Sequence, residues 1–585
     1  MGKLRNLSSN EIEQLMSQGC SAENWNSIKV SEEFGTNNIR NCRFKGDVVL
    51  GANVTISNVG AYMANCIVED GAYIENVAQI ECQGVSRFGG GTRVKTVNEG
   101  GGREVTIFDG LTAQTAYIMA MYKHRPATLA RMEEMIEQEL QAGQSTMCRI
   151  GKGAKITNSG ILRNVRIGEG AEVEGATILE NGTVVSSEES PAFVGADVKM
   201  YNFIMLDGAK VTDGAKLKNC FVGQNVKIGA LSGIDTLFFA NSHFENGETC
   251  SVFAGPYSVS HHKSSLLIAG MFSFFNAGSA TNMSNHLFKT GPVHQGIHQR
   301  GCKFASGAYI MQPCKVGAFT VVLGHHKSHP DTEYLPFSYL IENGGTTVLL
   351  PAHNLTTYGT VRDMAKWPQR DGRKGEKRDM VNFEEANPLI CERVAGGEKI
   401  LSELVTKSGD AATITHKRMT IKTTMAKRGA KMYGEAKNFY MGKMLESPAE
   451  PSCEGGGHWI DAGGQYMPLT TMNAILNDVD NGTIRTTKEI DERLFAAFGN
   501  YTNMAKRWAI DQLTEKLGHT PTQQEIENAI AYGQECGEKL RKAAEADKGS
   551  DFDEKSMIGY GIDAVSHDDI VADFEQVRKE QGVIK

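Results

Sequence analysis

From Leu50 the chain runs LGANVT ISNVGA YMANCI VEDGAY IENVAQ I, and large apolar residues return at every sixth position: Leu50, Ile56, Tyr62, Val68, Ile74 and Ile80. Four positions after each of the first five fall Val54, Gly60, Cys66, Ala72 and Ala78, all small or β-branched. A six-residue period matches neither an α-helix nor strand alternation sustained over this length. It predicts short strands wound into a coil, with one large side chain per flat face turned inward. Gly51, Asn58, Asp70, Gly71 and Asn76 then take up the turn dihedrals at the corners. The pattern resumes at Ile150, Ile156, Ile167, Val173, Leu179 and Val185, with one step short between Ile156 and Ile167. It continues through Val194, Met200, Val211, Leu217, Val222 and Ile228 with occasional five-residue steps. So many in-register units mark a repeat architecture.

The clearest units are IGKGAKI, IGEGAEV and VGQNVKI. In these the chain resembles the hexapeptide-repeat proteins over about residues 38–92 and 148–345. The resemblance implies a mainly β fold, a left-handed parallel β-helix of triangular cross-section, in a family whose members are usually trimers. It also implies an activity, because many members transfer acyl groups from a thioester such as acyl-CoA to sugars, nucleotide-sugars or amines. The stretches NHLFKTGPVHQG and HPDTEYLPFSYL are similar to a large bacterial branch of that family.

Other segments break the period. Residues 1–37 read as an N-terminal helical segment, 38–110 as the first coil block and 148–350 as the second. Between the blocks, residues 111–147 read as a two-helix insertion, with Asp109 as a candidate N-cap, Pro126 breaking the first helix and Gly143 closing the second. Its apolar stripe of Ile118, Met121, Tyr122, Leu129, Met132, Met135 and Ile136 must pack on its own coils or on a neighbouring subunit. GGGTR, within 89–110, is similar to the phosphate loop of sugar nucleotidyltransferases but follows coils rather than an α/β strand, so it reads as a loop. Residues 351–382 read as a basic, solvated linker; KWPQRDGRKGEKRDMVN carries six basic residues against three acidic ones. Residues 383–585 read as a helical region that packs on the coils. Two of its helices open with capping boxes, Thr486 with Glu489 and Thr522 with Glu525.

Composition narrows the class. Glycine is abundant at 64 of 585 residues while proline is scarce at 14, as turn-rich coils require and collagen-like repeats do not. The net charge of −8 argues against nucleic acid as a partner. The longest apolar stretch, Leu266–Phe275, is ten residues and too short to span a bilayer, so no membrane partner is expected. The polar N-terminus and twelve scattered cysteines without a CxxC point to a soluble, cytoplasmic protein.

Chemistry concentrates in the histidines. Ten of fifteen lie between His243 and His353, and imidazole is both a proton carrier near neutrality and a common metal ligand. His243 and His261 are 18 residues apart, one full coil, which stacks them on adjacent rungs. In VHQGIH, strand alternation puts His294 and His298 on one face. One reading makes His294 or His298, with His286 next, a general base acting on a small polar or sugar-type acceptor, its imidazole oriented by Asp331. A second gives His261, His325 and His326 to a divalent metal, as in the hexapeptide-type carbonic anhydrases. A third is a non-catalytic trimeric scaffold whose helical region binds partner proteins.

Overall fold

In the computed structural model, which describes residues 3–284, 289 and 291–582, the six-residue pattern becomes a parallel β-solenoid. One interior column runs Ile39, Ile56, Ile74, Ile156, Val173, Val194, Val211 and Ile228, each opposite the next in parallel register. It continues through Phe244, Ser260, Ala277, Phe304 and Val322 to Leu340. Ile156 stacks directly on Ile74, so the coil proceeds as though the insertion were absent. These side chains are buried, and each buried Val, Ile or Leu contributes roughly 1.5–3 kcal/mol of transfer free energy. The coils also start earlier than the hexads announce: Ile28–Ser31 already pairs in parallel with Ile39–Leu50.

Two hexad positions are corrected by the register. Met63, not Tyr62, turns inward, because an irregularity between Val59 and Tyr62 shifts the strand by one residue. Tyr62 instead lies outside beneath Lys45, its hydroxyl donating to Glu81 at 3.0 Å. Val184 replaces Val185 in the same way, in register with Ile167 and Met205.

The corners are held by asparagine. Asn164, Asn181, Asn202 and Asn219 all take positive φ, near +52°, a region that Asn tolerates better than most side chains because its amide bonds locally. Their amides form a ladder in which each Nδ2 donates to the next carbonyl oxygen at 2.9–3.2 Å, ending on Asp235. Gly182 is required for another reason: a Cβ there would lie 2.0 Å from the Phe203 ring, which fills the interior of the next coil.

Eleven helices accompany the coils among the described residues. α1 (Ser9–Ser17) precedes the first long coil strand and opens with a Ser8–Glu11 capping box. The interruption begins well before residue 111, after the strand that ends at Glu81: it carries a small hairpin, Arg93–Lys95 with Glu104–Thr106, where the sequence predicts a loop, then α2 (Ala113–Met121) and α3 (Pro126–Gly143). Thr112 rather than Asp109 caps α2, accepting from the Thr115 backbone, and Pro126 occupies the first turn of α3, where its missing N–H costs nothing. The C-terminal region comprises α4 (Tyr358–Lys366), α5 (Pro388–Ser408), α6 (Thr423–Glu446), α7 (Leu469–Asp480), α8 (Thr487–Gly499), α9 (Tyr501–Leu517), α10 (Gln523–Gly549) and α11 (His567–Glu580). Both expected capping boxes open α8 and α10.

The basic stretch is not a solvated linker. Arg373 and Asp379 are buried, and the chain here straps the coils to the insertion. Arg373 Nε donates to Asp371 at 2.9 Å, while the Asp379 carboxylate accepts the backbone N–H of Ala113 at 2.8 Å and of Ala240 at 2.9 Å. Arg373 and Asp379 are consumed internally while Lys366, Arg370 and Lys374 stay exposed, a division that a count of basic residues cannot reveal.

The insertion packs on its own chain. Gln114 of α2 donates to the Met380 carbonyl, and Asp491 of α8 accepts from the Thr112 hydroxyl at 3.1 Å. Burial raises the Asp491 carboxyl to about 7, with the Asp379 and Glu139 charges adding to the effect against the Thr112 hydrogen bond and Arg378. The folded chain therefore keeps this proton up to about pH 7, whereas the unfolded chain releases it near the ordinary aspartate value of roughly 3.9. Stability contributed here is present at low pH and lost as pH rises through that window. Asp491→Asn is expected to melt like the parent near pH 4 and to exceed it by of order 2–4 kcal/mol at pH 8. Parallel melting curves across that range would show that Asp491 is not protonated in the fold.

Candidate functional site

The outward face of one column explains where the C-terminal region docks. Arg166 and Thr183 are followed on successive coils by Ile204, Phe221, Leu237, Phe253, Met271 and Ile297, and then by Lys315. Six consecutive outward apolar positions make a stripe that must be covered. The first four are fully buried, and the Arg93–Lys95 hairpin lies over the strands that carry Phe221 and Leu237. Over Met271 and Ile297 the cover lifts, leaving a cavity of about 320 Å3 between the coils, α2, α5 and the hairpin formed by Trp459–Ala462 and Gln465–Pro468. That volume is at the lower end of the range for small-molecule sites.

Its floor is Phe253, Met271 and Ile297, and its walls include Tyr117, Met121, Leu389, Ile390 and Trp459. The polar groups are few. Arg300, fully buried, lies between the rings of Phe274 and Tyr466 at 4.3 and 4.1 Å. It donates from Nε and Nη2 to Asp461 at 2.8 and 3.2 Å, from Nη2 to the Gly464 carbonyl at 2.6 Å, and from Nη1 to the Asn382 carbonyl. Arg300 thus spends four of its five N–H groups within the fold and ties the hairpin to the coils. Across the cavity Glu333 bridges Lys315 at 3.0 Å and Arg393 at 3.2 Å. The Arg393 guanidinium stacks over Tyr334 at 4.2 Å, and its Nε and Nη1 have no hydrogen-bond partner although both are shielded from solvent. Buried N–H groups without a partner are rare in folded proteins.

Of the described candidate histidines, one, His298, lines this cavity. His298 stands in an interior column, opposite Phe272 on one coil and Val316 on the next, with its ring 5.1 Å from that of Phe304. Neither ring nitrogen has a partner, and burial lowers its proton affinity to about 3. It is a neutral residue of an interior column that also borders the cavity. His294 is also buried, but its Nε2 faces Glu99 of the insertion at 3.2 Å. His286 lies outside the described residues. Asp331 pairs with Lys417 at 2.7 Å, and among the described residues no histidine is hydrogen-bonded to it. Strand alternation predicts His294 and His298 on one face, but the strand begins only at Gly296 and Gln295 takes a φ of +84°, so His298 looks into the solenoid while His294 reaches Glu99.

The ligand set His261, His325 and His326 is likewise dispersed. His326 replaces isoleucine in another interior column, opposite Ile310. Its Nε2–H donates to the Leu323 carbonyl at 3.0 Å, Nδ1 accepts from the Thr347 hydroxyl at 3.1 Å, and burial lowers its proton affinity. His325 is exposed, its Nε2 bonded to the Gly307 carbonyl. His261 follows a strand of a different ladder; the coil here is 16 residues rather than 18, so His261 falls opposite Glu245, and its ring still comes beside that of His243 with centroids 4.2 Å apart.

Arg300, Arg393 and Asp461 escaped the reading of the sequence because nothing local marks them; Glu333 stood out only as part of the stretch HPDTEYLPFSYL. They meet only through packing between the coils, α5 and the 459–468 hairpin. The sole signal was the run of outward apolar residues, legible once the strand register is known.

Comparison with known proteins agrees with this division of the chain. Residues 442–582 match a family model described as a domain of unknown function (DUF6819). A protein of Treponema pallidum (strain Nichols), described as an uncharacterized protein, is 23% identical over 584 residues, covering 85% of this chain and 80% of its own length. A model described as a domain of unknown function (DUF4954) matches residues 4–54 and 47–405, the coils together with the start of the helical region, and the chain belongs to that family.

Proposed function

We propose that the protein binds a small molecule with an anionic head and an apolar body in the cavity between the coils and the helical region. The observation that carries this reading is Arg393, a cavity-wall cation with two shielded N–H groups lacking a partner, set opposite the apolar floor of Met271 and Ile297. A carboxylate or phosphate would be drawn to the guanidinium by charge and, on a turn of the Arg393 side chain, would reach those shielded donors, while the floor would supply burial of the remainder. Glu333 already holds Arg393 and Lys315 at the cavity wall.

This reading replaces the histidine base with a different chemistry. Transfer to a small acceptor now rests on the coil architecture alone, and a whole acyl-CoA exceeds a cavity of about 320 Å3. The test is a thermal-shift screen of the full chain against short hydroxy- and keto-carboxylates, sugar phosphates, nucleotide-sugars and acyl-CoA. Stabilising compounds are expected among the small acids and phosphates, and Arg393→Met should weaken them at least about tenfold, as loss of a charge-assisted pair requires. Equal affinity for parent and variant would remove Arg393, and with it this cavity, as the binding site.

A further inference from the structure

On the outside of the solenoid, away from the docking stripe, the strand His243–Glu245 turns Phe244 into the interior and leaves His243 and Glu245 on the outer face. On the next coil Ser260 stands opposite Phe244. His261, one position later, therefore comes beside Glu245. Parallel strands about 4.8 Å apart hold the two rungs in fixed relation. One ligand atom from each of His243, Glu245 and His261 lies within 4.8 Å of the others. The two imidazoles are perpendicular, at 89°, and His243 Nε2 is 2.7 Å from Glu245 Oε1.

We infer that His243, Glu245 and His261 form a binding site for a divalent transition metal of the zinc class. Two imidazoles and a carboxylate suit zinc, cobalt or nickel, whereas magnesium and calcium prefer all-oxygen sites. A tetrahedral zinc ion with bonds of roughly 2.0–2.1 Å needs ligand atoms about 3.3 Å apart; rotation of the exposed His261 ring closes the gap without moving a strand. The three side chains leave a fourth position open to solvent, where a bound water would be polarised. Lys227, opposite His243 on the preceding coil, and Arg370 and His262 near His261 set the competing positive charge. Glu245 is the anion that offsets it.

The test uses the full chain stripped with a chelator and titrated with zinc in competition with a chromophoric chelator. The parent is expected to bind one ion more than His261→Ala or Glu245→Gln, both of which change exposed or half-exposed side chains and should melt like the metal-free parent. Cobalt should give the visible bands of a low-coordinate nitrogen and oxygen site without a thiolate charge-transfer band. In the unaltered chain, zinc should protect His243 and His261 from carbethoxylation, read by peptide mass spectrometry. Equal zinc stoichiometry in parent and variants, a thiolate band, or unprotected histidines would overturn the assignment.

Discussion

Arg300→Met is expected to loosen the helical region from the coils at a cost of about 3–5 kcal/mol, the range for breaking a buried ion pair from one side. The substitution keeps most of the side-chain volume between Phe274 and Tyr466 but strands the Asp461 carboxylate and the carbonyls of Asn382 and Gly464. Asp461 also accepts the Gly464 N–H, so the turn of the 459–468 hairpin loses its anchor. The expected readout is faster hydrogen exchange in residues 459–468 and in α5, with the coil strands unchanged, and a separate early melting transition. An unchanged melting curve with unchanged exchange would show that the stacked rings and apolar stripe hold the region without the arginine.

The second large effect is at His298. In the unfolded chain this imidazole takes a proton near pH 6.5, whereas in the fold it resists protonation down to about 3 because burial excludes the charge. Between those values the unfolded state holds more protons. Its contribution to stability is therefore full above about pH 6.5 and is lost as pH falls toward 3, by of order 4 kcal/mol. His298→Leu keeps an interior column that already carries Phe272 and Val316 and removes two unpartnered nitrogens. It should be at least as stable as the parent at pH 7, by about 1–3 kcal/mol, and the gap should widen as the pH is lowered to 4. A gap independent of pH would mean that the imidazole has access to solvent or a partner. A catalytic His298 would instead show itself as lost turnover with no gain in stability.

The coils were legible because their cause is local and periodic. Ile56, Ile74, Ile156 and Val173 fill one column simply by returning at coil spacing, and asparagines such as Asn58 and Asn76 take positive φ at the corners. The two misplaced positions, Tyr62 and Val185, sit where a coil is one residue longer or shorter than three hexads, and only pairing with the next coil resolves which neighbour turns in. The site was illegible for the opposite reason. His298 and His326 look like chemistry in a linear sequence, yet the register sends both into the interior. Arg300 looks like an isolated base, yet it is the buried tie between residues 160 positions apart. Outward Phe221, Leu237 and Phe253 were the readable sign that something covers this face.

The central claim is that the cavity above Met271 and Ile297 is where the protein meets its ligand. A crystal structure of the full chain with the strongest compound from the thermal-shift screen tests it most directly. The account predicts density in that cavity, with the anionic group against Arg393 and the apolar portion on Met271 and Ile297. Density elsewhere on the solenoid, with the Arg393 guanidinium left as it stands, would contradict it.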